Sequence, residues 1–67
     1  MKIYFNDEEK DIDQGETIAS LLDKVGIKDQ KGIAVAVNET IAPKDNWNHQ
    51  LLSDGDKVVL IMATAGG

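Results

Sequence analysis

Cysteine and arginine are both absent from this 67-residue chain. Without cysteine there is no disulfide framework, no thiolate zinc site and no thiol nucleophile, and the lack fits a reducing compartment. Without arginine, and with twelve acidic residues against seven lysines, the net charge is −5. Nucleic acid and anionic membranes are held through clustered Lys and Arg, so neither is expected as a partner. A protein with a basic docking surface fits better. Aromatic residues number three, and proline and histidine occur once each, as Pro43 and His49. No apolar run approaches a membrane span, and the opening Met-Lys-Ile-Tyr-Phe turns polar at Asn6, leaving no signal-peptide core. The expectation is one small cytoplasmic domain with a modest core.

What is present is a succession of short periodic segments. Ile3 and Phe5 alternate with Lys2 and Tyr4, the period of a strand with one buried face. Asn6-Asp7 is turn chemistry, and residues 9–13 predict a second, polar strand with Ile12 inward. Thr17 is a suitable N-cap for a helix whose stripe is Ile18, Leu21, Leu22 and Val25, stopped by Gly26. A charged connector over 27–32 leads to a strand over 33–37. Its larger residues, Ile33, Val35 and Val37, suit the buried face, and Ala34 and Ala36 leave a flat outer face. Asn38-Glu39 turns into a short strand over 40–42, closed by Pro43. Residues 44–49 predict a helical turn or loop with Trp47 folded inward, and Leu51 or Leu52 beneath it. Ser53-Asp54-Gly55-Asp56 is a turn, and residues 57–62 form a last strand apolar on both faces, as befits a central one. Hairpin, helix, strand, short strand, loop and strand make an α+β β-grasp layout. The expected sheet is mixed, of four to five strands, with one main helix packed across it.

Few residues offer chemistry. His49 has no nucleophile or orienting partner in its neighbourhood of sequence. The carboxylates at 7–9 and 54–56 lack the spacing of a calcium loop, and Lys44 has no glycine-rich cradle. No catalytic constellation, metal site or bound cofactor is therefore expected. Two features remain. The first is the end, Ala63-Thr64-Ala65-Gly66-Gly67. Five extended residues with small side chains reach roughly 15–18 Å, enough to thread a narrow channel and deliver a carboxylate. The expected division is a domain over 1–62 and a flexible tail over 63–67. The second is an apolar patch: with Val58, Leu60 and Met62 toward the helix, Val59 and Ile61 lie on the other face beside Ala34 and Ala36. Such a patch at the root of the tail predicts a docking surface.

The chain resembles the ThiS family, the small ubiquitin-like sulfur carriers of thiamin thiazole biosynthesis. The resemblance runs end to end: Ile-x-Phe-Asn at 3–6, Thr-Ile-x-x-Leu-Leu at 17–22, Val-Ala-Val-Asn-Glu-x-Ile-x-Pro at 35–43, Trp47, Asp-Gly-Asp-x-Val at 54–58, and Gly66-Gly67. It implies a carrier and not an enzyme. The Gly67 carboxylate would be adenylated with ATP by a ThiF-like, E1-related enzyme. Sulfur from a persulfide donor would displace AMP to leave a thiocarboxylate, for delivery to thiazole synthase (ThiG-like). Thr64, Ala65 and Gly66 would form the tail that enters both partners. Related Gly-Gly carriers, such as the small subunit of molybdopterin synthase or a ubiquitin-like modifier, share the end and the layout. A β-grasp binding module that undergoes no chemistry is the alternative from another class.

Overall fold

The computed structural model describes residues 1–27 and 32–62. The connector at 28–31 and the tail at 63–67 lie outside the described residues. Five strands form one sheet: β1 (Lys2–Phe5), β2 (Glu8–Asp11), β3 (Ile33–Val37), β4 (Thr40–Ala42) and β5 (Lys57–Met62). Their order across the sheet is β2-β1-β5-β3-β4. The β1–β5 pair is parallel and the other pairs are antiparallel, so the sheet is mixed, with β5 in the middle.

Both hairpins turn in two residues. Asn6 and Asp7 have φ of 49° and 69°, and Asn38 and Glu39 have 51° and 69°. Positive φ at both central positions is the type I′ turn, whose twist matches that of the strands it joins. Asn and Asp tolerate that region better than other non-glycine residues. The tight first turn sets Glu8 directly opposite Phe5, so β2 begins one residue earlier than the sequence predicts and ends at Asp11. Ile12 still points inward at 4 % exposure. Its backbone exchanges hydrogen bonds with Met1 just past the strand.

The helix α1 (Ile18–Lys24) is seven residues long, too short to persist alone in water. Its ends account for how it survives. Thr17 and Ser20 form a reciprocal capping box, the Ser20 N–H donating to Thr17 Oγ1 and the Thr17 N–H to Ser20 Oγ. The next two free donors of the first turn, Ile18 N–H and Ala19 N–H, reach the carbonyls of Gln50 and Trp47. At the other end Gly26 (φ 87°) follows the cap residue Val25. There the Ile27 N–H donates to Leu22 O and the Gly26 N–H to Asp23 O, a Schellman closure.

The helix lays Ile18, Leu21 and Leu22 on one face of the sheet, against Ile3, Phe5, Val35 and Val58. A 3₁₀ turn (Lys44–Asn46) brings Trp47 into this core, where its indole Nε1–H donates to Ala42 O at 2.9 Å. Of the two leucines that follow, Leu52 is buried and Leu51 is exposed, because Leu51 bridges to Thr17 at the surface. Ile33 and Val37 are half-buried at the core margin.

Candidate functional site: the open face and the C-terminal strand

The face of the sheet away from the helix follows from strand alternation and register. On β1 and β2 it carries Lys2, Tyr4, Glu9 and Asp11, paired across the hairpin. Lys2 and Glu9 approach to 3.6 Å, both exposed, so the pair contributes little stability. On the other half it turns apolar. Ala34 sits opposite Ile61, and Ala36 lies between Val59 on one side and Ile41 on the other. Ile41, Val59 and Ile61 are 58 %, 43 % and 46 % exposed. Directly opposed strand residues stand close enough for side chains to touch. That explains why Ala36 is only 8 % exposed although it belongs to the open face. The flat alanine surface expected from sequence is therefore a shallow trough: Ala34 is half-buried, and larger side chains rise on both sides of Ala36.

Ile41 has no place in the sequence reading of this patch. Its signal was present in the alternation of Thr40-Ile41-Ala42: once Ala42 is inside, beneath Trp47, Ile41 must point out. Met62, expected to face the helix, is 70 % exposed. It ends β5 opposite Ile33, itself only half-buried, at the margin of the core. Met62 thus lies on the helix side beyond the end of the core, and the open-face patch ends with Ile61. Gly67, Gly66, Ala65 and Thr64 follow it in the chain, outside the described residues.

Two asparagines fix β5 within the sheet. Asn38 N–H donates to Lys57 O, and Asn38 Oδ1 accepts the Lys57 N–H. Asn6 N–H donates to Val58 O, and Asn6 Oδ1 accepts the Leu60 N–H at 2.9 Å. Each asparagine uses its side-chain carbonyl as an extra rung where its own strand has ended. Asp56 supports the arrangement by accepting from the Asn38 amide.

The remaining polar residues serve the fold. Asp54 accepts the Lys2 N–H and Asp56 accepts the Ser53 N–H, so the carboxylates at 54–56 close a turn. Among the described residues no group of three or more His, Asp or Glu side chains could hold a metal. His49 is exposed at the end of the 3₁₀ turn, and the Lys44 ammonium lies 5.7 Å from the Trp47 ring centroid. A hollow of about 360 Å³ opens between β2 and α1, lined by Lys10, Ile12 and Leu21 among others, away from β5. No helix among the described residues is long and apolar enough to cross a membrane.

Residues 2–67 match the model of the ThiS family. The chain belongs to the ThiS family. The sulfur carrier protein ThiS of Escherichia coli (strain K12) is 36 % identical over 67 residues, all of both chains. A protein named thiazole synthase from Paramagnetospirillum magneticum (strain ATCC 700264 / AMB-1) is 33 % identical over the same length. That match takes in the whole of this ThiS-family chain and 20 % of the relative. Among solved structures, the crystal structure of the thiamine biosynthesis protein ThiS from Geobacter metallireducens superposes with a TM-score of 0.85, covering both chains in full at 19 % identity. The solution structure of a thiamine biosynthesis protein from the same organism gives 0.75 at 20 % identity, over all of this chain and 88 % of the other. The fold is the β-grasp of those ThiS structures.

Proposed function

We propose that this ThiS-family protein is a cytoplasmic sulfur carrier that works through its own terminus for thiazole formation in thiamin biosynthesis. The observation that carries the reading is the end-to-end likeness to a protein named as a sulfur carrier, at 36 % identity with Gly66 and Gly67 inside the matched length. In this reading residues 1–62 are the body and residues 63–67 the reacting end. A carboxylate is a poor electrophile, so the Gly67 carboxylate first attacks the α-phosphorus of ATP on a ThiF-like, E1-related enzyme, releasing pyrophosphate. The terminal sulfur of a persulfide donor then attacks the acyl carbon and AMP leaves. A thiol takes up the donor's sulfur as a disulfide, and a thiocarboxylate remains on Gly67. Glycine suits positions 66 and 67 because a side chain there would obstruct both active sites. The carrier itself contributes no catalytic residue and binds no cofactor, and ATP belongs to the adenylating partner. Thiazole synthase as the receiver is supported by the relative that carries that name while a fifth of its length resembles this chain.

Docking falls to the apolar trough of Ala34, Ala36, Val59 and Ile61, extended by Ile41. It offers contiguous apolar surface immediately before the tail.

The test is the intact mass of the untagged protein after incubation with ATP, a ThiF-like enzyme and a persulfide source. The expected product is heavier by the exchange of one oxygen for sulfur, mapped to Gly67. A variant with one residue added after Gly67 should stay unmodified. Normal adenylation of that extended chain would falsify the carrier reading and favour a binding module.

A further inference from the structure

The outer edges of the sheet are each guarded. β2 presents Glu8, Glu9, Lys10 and Asp11, and β4 is three residues long and runs into Pro43. Charge, shortness and proline are the usual means of refusing a foreign strand. A third stretch of edge lies within the sheet, where β1 stops short of β5. The two strands are in register only at Tyr4↔Lys57 and Phe5↔Val58. Asn6 adds the rung to Leu60 N–H, and the chain then turns back through Asp7.

The direction of the remaining backbone groups follows from the bonds already described. Lys57 exchanges both of its hydrogen bonds with Asn38, on the β3 side. By alternation Val59 and Ile61 also face β3, whereas Val58, Leu60 and Met62 face β1. Leu60 C=O and Met62 N–H therefore point to the side that β1 has left, and neither has a hydrogen-bond partner among the described residues. Unlike β2 and β4, this short edge has no charge or proline of its own: its side chains are Leu60, Ile61 and Met62.

We infer that this notch receives an extended strand of the adenylating partner, added beside β5 at Leu60 to Met62. The inference rests on the carrier reading. Strand addition uses main-chain hydrogen bonds for affinity and alternate side chains for selection. The occupant that fits has apolar side chains at alternate positions, to lie beside Ile61 on the open face. It has a lysine or arginine where its end meets the corner, because Asp7 and Glu8 are exposed there. Such pairing is continuous with the apolar trough and acts on the strand that runs directly into residues 63–67. It fixes the line along which the tail enters the partner without requiring a particular tail sequence.

Amide hydrogen exchange of the full chain, free and bound to the ThiF-like enzyme, tests this. In the free protein the Ile61 amide, bonded to β3, should exchange slowly and the Met62 amide rapidly. Binding should slow Met62 by about tenfold or more. If the enzyme binds and adenylates Gly67 while Met62 exchanges at its free rate, the notch inference falls and the carrier reading stands. If the unaltered chain is neither bound nor adenylated, both fall. A variant pair isolates the donor. Met62→Leu keeps the N–H and should bind within about twofold. Met62→Pro removes it while sparing the β3 bonds through Val59 and Ile61, and should bind about tenfold more weakly. Equal binding by the proline variant, with Ile61 still protected, overturns the inference. The double variant Asp7→Asn, Glu8→Gln should weaken binding several-fold at low salt and less at high salt; an effect independent of salt rules out the basic occupant.

Discussion

The Glu16 carboxylate accepts from three groups: the Lys24 ammonium, the Asp13 N–H and the Ser20 hydroxyl. The hydrogen bond from Lys24 is the main cause that holds its pKa below the ordinary carboxylate value, with the Asp13 N–H next. Lys24 is raised in turn, first through the same bond. A depressed carboxylate pKa stabilises the fold above the unfolded-state value and ceases to as pH falls through the folded one. Glu16→Gln should therefore lower the denaturation midpoint at neutral pH, and the gap to the parent should close as pH drops below about 4. Urea melts at a series of pH values check this, and a gap that stays constant into acid would refute it. Little of this network was legible in sequence. Thr17 as a cap was, because a hydroxyl before an apolar stripe is a local signal. Glu16 stands outside the helix, one residue before its cap, and its main partner Lys24 lies eight residues on, a separation that the helical-neighbour rule does not cover.

At the scale of the element, α1 shows how far periodicity reaches. The stripe Ile18, Leu21, Leu22 and the stop at Gly26 were legible because 3.6-residue spacing and a positive-φ glycine are written in neighbouring residues. The carbonyls that finish the first turn, from Trp47 and Gln50, come from a distant loop and were not. Leu22 is fully buried beneath the helix, and Leu22→Ala should cost about 2–5 kcal/mol of unfolding free energy. Asp23→Ala, one residue on and exposed, should change it by less than about 0.5 kcal/mol. Chemical denaturation of both variants measures the difference, and comparable losses would contradict the assigned face. The strands divide in the same way. Alternation placed Val35 and Val58 inside, whereas the burial of Ala36 and the inclusion of Ile41 follow from cross-strand register, which single strands do not specify.

For the molecule as a whole, the helix side supplies cohesion, and the open face carries apolar side chains that the core does not use. Val59 and Ile61 are nearly half exposed and add little to the core. Val59→Asp or Ile61→Asp should therefore weaken binding to the ThiF-like enzyme by about tenfold or more while the thermal midpoint moves little. Calorimetric titration paired with a melt separates the two effects, and unchanged binding by both variants would remove the trough from the docking surface. β5, the middle of the sheet, is also the last of its five strands to be synthesised. While the chain is growing, β1 and β3 have no common neighbour, and the rungs at Asn6 and Asn38 have nothing to bond. Bringing Asn6 to Leu60 closes a loop of most of the chain's length, a slow, non-local step. Folding of the sheet therefore waits for translation to pass Met62, and a chain cut short before Lys57 lacks the strand that would complete it. Incomplete products should then present open edges to proteases and chaperones, which makes acquiring a finished fold a form of proofreading for the segment that leads to the terminus.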